Sequence, residues 1–104
     1  MDANKNNFEI DELIEYPKSG ILSKVLLKNQ TGDTTLFCMS KGSELSEHTS
    51  TKEGFVLVIE GEGIFTLKGK KIKMIKNVLI HMNKKEVHSL KANKNTSFLL
   101  ILTN

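Results

Sequence analysis

Residues 42–61, GSELSEHTSTKEGFVLVIEG, carry His48 a few residues ahead of the unbroken apolar run FVLVI. Forty residues after that histidine, the segment NKKEVHSL places His88 at the edge of another short apolar run. In small β-barrels, strands that are distant in sequence bring side chains to one point in the interior. Imidazoles gathered in this way can bind a metal or a ligand. The two histidines therefore predict one shared cavity.

The rest of the chain is typical of an all-β domain, in which short apolar runs alternate with turn residues. The turns are supplied by NQTGD, GEG, KGKK and NKKE. No segment keeps a helical period for long. We therefore expect less than about a tenth of the residues in helices, against about a third in an average globular protein. Strands are predicted at residues 21–27, 34–39, 55–59, 64–67, 72–75, 78–82, 87–90 and 97–102.

Length and composition predict a single domain, residues 1–104, with one modest core, since 38% of the residues are hydrophobic. Residues 1–7 form a polar tail, and residues 8–16, FEIDELIEY, are either a short strand or one helical turn that ends before Pro17. No run approaches the roughly twenty apolar residues of a membrane span, so we expect a cytoplasmic protein without a membrane partner. Cys38, the single cysteine, lies in the apolar run LFCM and is interpreted as a core residue.

The net charge of +3 comes partly from five lysines between residues 68 and 76. All fifteen basic residues are lysine, so the chain has no arginine for bidentate contacts with phosphates or guanine edges. No aromatic side chain lies among these lysines to stack on a base. Lysines on exposed strands discourage sheet-to-sheet association. The lysines are therefore interpreted as solvated surface, and nucleic acid is not a predicted partner.

The layout resembles the two motifs of the cupin superfamily, single-domain type, over nearly the whole chain. The first family motif runs glycine, five residues, His-x-His, three or four residues, glutamate, six residues, glycine; Gly42, His48 and Gly61 match it. The second runs glycine, five residues, Pro-x-Gly, two residues, histidine, three residues, asparagine; His88 matches it. The other defined positions of the second motif hold Asn77, Asn83, Lys85 and Ala92. The resemblance implies an antiparallel double-stranded β-helix, or jelly-roll barrel.

Two residues that bind metal in cupins are replaced in this chain. The second histidine of the first motif falls on Ser50, and the glutamate falls on Gly54. The resemblance thus implies half of the usual four-ligand set, His48 and His88, for a divalent metal such as zinc, nickel, manganese or iron. Restoring histidine at position 50 and glutamate at position 54 is expected to raise zinc or nickel affinity. A third natural ligand would have to come from Cys38, Glu44, Glu47, Glu53 or Met82.

The alternation of side chains along a strand predicts the pocket wall. Glu53 has the opposite parity to His48 and is expected to point away from it. The predicted pocket is mostly apolar and consists of His48, Ser50, Gly54, Val56, Val58, His88 and Leu90. Whether Phe37 and Met39 or Leu36 and Cys38 face it stays open. The third histidine, His81, is interpreted as a strand side chain outside the site.

The run FVLVI also predicts that both faces of its strand are covered, because so many apolar side chains are unfavourable in water. Phe55, Leu57 and Ile59 lie on the face away from the pocket. A barrel this small cannot hide both faces. We therefore expect a homodimer with a largely apolar interface.

Three kinds of function remain open. The first is a module that binds or senses a small molecule in the apolar pocket, oriented by the two histidines. The second is a metal-dependent oxygenase or isomerase that uses His48 and His88 as ligands. The third is a scaffold for protein interactions. The replaced metal ligands favour the first, and no catalytic residue is predicted.

Overall fold

A computed structural model describes residues 6–104, and these residues contain nine β-strands and one turn of helix. The predicted all-β class is confirmed. Each predicted strand is present with ends within two residues of the prediction, and one strand, β3, was not predicted. The elements are α1 Ile10–Leu13, β1 Ile21–Lys28, β2 Gly32–Met39, β3 Glu44–His48, β4 Glu53–Glu60, β5 Gly63–Leu67, β6 Lys70–Met74, β7 Leu79–Met82, β8 His88–Ala92 and β9 Thr96–Thr103.

The strands form two antiparallel sheets, with strand orders β1-β2-β9-β4-β7 and β3-β8-β5-β6. Consecutive strands repeatedly change sheet, which is the winding of a jelly-roll barrel. The inner faces of both sheets supply one core, because alternate residues of each strand are apolar and point inward. Its buried members are Met39, Val56, Val58, Phe65, Met74, Ile80, Met82, Leu90, Ala92 and Phe98.

Strand β3 escaped prediction because it carries almost no apolar pattern. Leu45 is its one apolar residue, and its other residues are exposed. It lies at the edge of its sheet, where only one neighbour, β8, pairs with it. A bulge between Leu45 and His48 also disturbs its alternation. An exposed, bulged edge strand of this kind has no periodic signal to detect.

The segment before β1 contains one helical turn, α1, between extended residues. Its apolar side chains cover part of the outer face of the five-stranded sheet, where they pack against Leu26, Leu36 and Cys38. Cys38 is fully buried in this second cluster, as its interpretation as a core residue requires. Residues 1–5 of the polar tail lie outside the described residues, within which no helix is long and apolar enough to cross a membrane.

Tyr16 anchors this N-terminal segment to the barrel, and its ultraviolet absorbance can test whether the contact forms. Its hydroxyl donates a hydrogen bond to Oε2 of Glu60 at 3.0 Å. Burial raises the pKa of Tyr16 to about 12, and the Glu60 carboxylate also raises it. The chain has one tyrosine and no tryptophan, so the ultraviolet absorbance of phenolate reports this residue alone.

We expect the phenolate titration of the folded protein to have its midpoint near pH 12, about two units above that of a free tyrosine. Because the folded pKa is the higher one, the contribution of Tyr16 to stability is complete below about pH 10 and is lost as the pH rises through about 12. Glu60→Gln should lower the midpoint. A midpoint near that of free tyrosine in protein still folded by circular dichroism would contradict this account.

Among residues 6–104, three non-glycine residues adopt the left-handed conformation that suits glycine best, and two of them, Asn77 and Lys85, lie at motif positions. Lys85 has φ 65° and Asn77 has φ 72°. Both are positions at which the second motif of the family has glycine. The turn conformation is thus kept although the glycines are not, and an ordinary side chain in this region costs about 1–2 kcal/mol.

Lys85→Gly should therefore stabilise the protein by about 1 kcal/mol, seen as a higher denaturant midpoint in equilibrium unfolding. The backbone N–H of Lys85 donates to the carbonyl of Ser50 at 2.7 Å, and the substitution leaves this bond in place. Lys84→Gly is the matched control, because Lys84 is also exposed but has no positive φ. It should gain nothing or lose slightly through chain entropy. Equal midpoints for the two variants would show that Lys85 is not strained.

Candidate functional site: the two-histidine cavity

His48 is the last residue of β3 and His88 is the first residue of β8, and the two are directly paired across these strands. Their ring centroids lie 4.1 Å apart, with the ring planes at 63° in an edge-to-face arrangement. His88 is buried, with 6% of its surface exposed, whereas His48 is exposed. The imidazole pair therefore lies where the barrel interior meets solvent.

Both imidazoles line an interior cavity of about 60 Å³. Ordinary ligand pockets are about 300–1,000 Å³, but one water needs only about 10–15 Å³. The cavity therefore has room for an ion or for the tip of a larger molecule. Its wall consists of Phe37, Leu45, His48, Val56, Phe65, Met82, His88, Leu90, Phe98 and Leu100.

The backbone fixes the proton on each ring. Nδ1 of His48 lies 2.7 Å from the carbonyl oxygen of Ser46, and Nδ1 of His88 lies 3.0 Å from that of Glu86. A carbonyl oxygen only accepts hydrogen bonds, so each Nδ1 carries a proton and donates it. In the neutral ring the lone pair is then on Nε2. The two Nε2 lone pairs are therefore the free acceptors of the imidazole pair that lines the cavity.

His88 is held in its uncharged form. Burial lowers its pKa, the hydrogen bond to the Glu86 carbonyl partly opposes this, and neighbouring His48 lowers the pKa further. Phe65 covers one face of the ring, with centroids 5.6 Å apart and planes at 5°. A neutral, covered imidazole keeps its Nε2 lone pair free at neutral pH.

Of the seven residues predicted to line the pocket, His48, Val56, His88 and Leu90 do so. Val58 is packed in the core beyond the cavity wall. Ser50 lies in the turn between β3 and β4, where its hydroxyl oxygen accepts the N–H of Lys52 at 3.0 Å. Residues 49–52 separate the two strands, so side-chain parity does not carry from His48 to Gly54.

Gly54 is buried in β4, opposite Leu102 of β9 and Met82 of β7. A Cβ atom at this position would lie 2.6 Å from the carbonyl oxygen of Ile101 and 2.6 Å from Cδ2 of Leu102. Real Cβ atoms do not come this close to backbone oxygens. The position that carries the family's glutamate therefore accepts no side chain unless β9 moves.

The other candidate third ligands are mostly elsewhere. Glu53 pairs with the third histidine, since its Oε2 lies 2.5 Å from Nε2 of His81. Cys38 is in the second core cluster, and Glu44 and Glu47 line a separate outer groove. Within residues 6–104, no three side chains of histidine, cysteine, aspartate or glutamate come together as a metal site.

Some of the cavity wall could not be anticipated. Phe37 lines the cavity and Met39 lies in the core beside it, while Leu36 and Cys38 face the N-terminal segment, which answers the question left open by the sequence. Phe37 stacks on Phe98 at 5.1 Å. The wall residues missed by the sequence are Leu45, Phe65, Phe98 and Leu100, and Met82 was considered only as a possible third metal ligand.

An antiparallel two-sheet barrel with paired imidazoles at one end belongs to the class of small jelly-roll barrels that surround an interior site. No sequence model of a known family and no curated protein sequence matches this chain. Solved structures do match it. A cupin superfamily protein from Desulfitobacterium hafniense has a TM-score of 0.86 at 20% identity, over 95% of this chain and 91% of that chain.

A cupin 2 conserved barrel domain protein from Leptotrichia buccalis has a TM-score of 0.86 at 28% identity, over 93% of this chain and 47% of that chain. Salicylate 1,2-dioxygenase from Pseudoaminobacter salicylatoxidans, in its adducts with gentisate, has a TM-score of 0.77 at 16% identity, over 90% of this chain and 28% of that chain. The resemblance to cupins is thus confirmed, and the chain has the cupin fold. The same fold supports many activities, so function has to be argued from the site.

Proposed function

We propose that this barrel binds a small molecule by inserting one end of that molecule, its tip, into the cavity, where it contacts the Nε2 atoms of His48 and His88. The observation that carries the proposal is the pair of Nδ1 hydrogen bonds to backbone carbonyls, which leaves two acceptors at an otherwise apolar cavity. Apolar walls disfavour a charged organic group, because the cavity wall offers it no group of opposite charge. The favoured tip is therefore an uncharged hydrogen-bond donor such as a hydroxyl group, with the rest of the ligand outside the cavity.

Matched fragment pairs test this proposal. Phenol and cyclohexanol, at millimolar concentration, should shift the imidazole NMR signals of His48 and His88, whereas their methyl ethers should not, because an ether has no proton to donate. His48→Phe and His88→Phe should each abolish the response, and His81→Phe is the control on the third histidine. Equal responses to alcohols and ethers, or responses that map to the outer surface, would contradict the proposal.

A metal-dependent reaction is the second candidate, and the same preset imidazoles favour it. Metal-binding imidazoles usually donate their second ring N–H to a carbonyl or carboxylate, as both do here. A catalytic divalent metal, however, normally has three protein ligands, and the described residues offer no third imidazole, thiolate or carboxylate at this point. The donor set does not fit the zinc, nickel, manganese or iron that the family resemblance implies. Stoichiometric zinc or iron in untagged protein after dialysis against chelator would favour the enzyme.

We also propose a homodimer through the outer face of the five-stranded sheet. The N-terminal segment covers only one side of this face. Beyond it, Phe55 and Leu79 remain 37% and 59% exposed, next to the half-buried Leu57. Leu57→Glu should convert dimer to monomer, because it buries a charge in an apolar contact. Sedimentation at tens of micromolar protein measures the oligomeric state, if such an interface has roughly micromolar affinity or better. Val87→Glu, at an exposed position outside this face, is the control. A parent protein that is already monomeric at this concentration would contradict the dimer.

A further inference from the structure

The cavity wall contains a third donor atom that is neither nitrogen nor oxygen. Met82, the last residue of β7, lines the cavity together with both imidazoles and is only 3% exposed. Every other wall residue is a hydrocarbon side chain. We propose that His48, His88 and Met82 form a binding site for a soft monovalent metal ion, Cu(I). The inference builds on the second candidate function and does not need the organic ligand.

The three donors reach the cavity from opposite sides of the barrel. His48 and His88 belong to the four-stranded sheet, while β7, which carries Met82, is the edge strand of the five-stranded sheet. Met82 is paired with Gly54 of β4 in that sheet. A methionine side chain has three rotatable bonds, so its sulfur can adjust its position within a small cavity. One thioether and two imidazoles can therefore approach one ion from both sheets.

The chemistry of these donors selects the ion. Thioether sulfur is a soft ligand and favours Cu(I), whereas manganese, magnesium and calcium prefer carboxylate oxygen. All three donors are neutral, so none offsets the charge of the ion they bind. The cost of burying an ion rises with the square of its charge, so a dication in this apolar cavity is far less favourable than a monocation. The site that does not fit the family's divalent metals thus fits a cuprous ion.

The buried thiol of Cys38 is a competing soft ligand outside the cavity. It lies in the second core cluster, on the other side of the sheet from the cavity. A Cys38→Ala background removes it and leaves both imidazoles and Met82 in place. This background removes thiol binding, and the methionine variants then test whether the ion is in the cavity.

The test is an anaerobic competition titration of Cu(I) against a coloured cuprous chelator, in the full chain with Cys38→Ala. We expect one equivalent of Cu(I) to bind and Zn(II) to bind more weakly. Met82→Leu should lower Cu(I) affinity at least about tenfold, since it removes the sulfur while conserving volume. Met74→Leu is the matched control: Met74 is also buried, at 1% exposure, but does not line the cavity, so its affinity should equal that of the parent.

A second readout avoids substitution of the cavity residues. Ag(I), an air-stable monovalent ion of similar softness, should shift the methyl NMR signal of Met82 and leave those of Met39 and Met74 in place. Zn(II) affinity above Cu(I) affinity, equal Cu(I) affinities for the Met82→Leu and Met74→Leu variants, or an unmoved Met82 signal would each overturn the proposal. If phenol binds at the histidines while Cu(I) does not, the metal inference fails and the small-molecule proposal stands.

Discussion

Gly54→Glu should destabilise the barrel by several kcal/mol instead of completing a metal site. The first atom added already conflicts with the structure, because a Cβ atom would lie 2.6 Å from the carbonyl oxygen of Ile101. Forced overpacking of this kind costs about 1–3 kcal/mol. The carboxylate adds the cost of burying a charge, because Gly54 is buried. Equilibrium unfolding in urea measures the loss.

Two variants separate these costs. Gly54→Ala brings a Cβ atom against the backbone of β9 without adding a charge. It should lower the free energy of unfolding by about 1–3 kcal/mol. Gly20→Ala is the control, since a Cβ atom there meets nothing within 4 Å and encounters only the strain of its positive φ of 84°. Its loss should be about 1 kcal/mol. Equal stability of Gly54→Ala and the parent would show that β9 yields easily, and the steric argument would be wrong.

The same argument corrects the expectation that Ser50→His with Gly54→Glu raises zinc or nickel affinity. Position 50 lies in a turn and position 54 directs its Cβ at a neighbouring strand. Neither substitution brings a donor to the cavity without rearrangement. We therefore expect the double variant to unfold at lower denaturant than the parent and to gain no metal affinity. A folded variant that binds stoichiometric zinc would contradict this correction.

The sequence was sufficient for the fold because two kinds of signal agreed. Apolar runs such as FVLVI marked the strands, and turn residues such as those of NQTGD marked the hairpins. In that loop the side-chain oxygen of Asn29 accepts the backbone N–H groups of Thr31 and Gly32, which is the local reason the chain turns there. Local chemistry therefore predicted where eight of the nine strands in residues 6–104 begin and end, to within two residues.

The cavity wall was predictable only in part, because it depends on which strands meet. The pairing of His48 with His88 followed from motif spacing. Val56 and Leu90 followed from the alternation of side chains within their own strands, β4 and β8. Alternation failed where the chain left the strand, as at residues 49–52. Phe65 and Met82 come from strands whose neighbours only the sheet order determines. Motif matching alone therefore did not identify His48, His88 and Met82 as one donor set.

Phe65→Ala should cost about 3–5 kcal/mol, the usual loss for truncating a buried aromatic side chain. Phe65 has no exposed surface, lies between Ile72 and Leu90 in its sheet, and stacks on the ring of His88. Its removal enlarges the cavity and admits water to the imidazole. Urea unfolding should show the loss in stability, and NMR of the folded variant should show the effect on His88.

The pH dependence distinguishes a role at the site from a role in packing alone. Burial is the main cause of the lowered His88 pKa, so hydration in the Phe65→Ala variant should raise that pKa towards its ordinary value. In the parent, the pKa of His88 is lower in the folded protein than the value of about 6.5 in the unfolded chain. The contribution of His88 to stability is therefore complete above about pH 6.5 and is lost as the pH falls through the folded pKa. This loss should shrink in Phe65→Ala. Phe98 is another buried phenylalanine of the cavity wall, but it stacks on Phe37 and not on His88. Phe98→Ala should therefore lose comparable stability while the pKa of His88 stays closer to its value in the parent. The same His88 pKa in Phe65→Ala and the parent would show that the stacked ring does not control the protonation of the site.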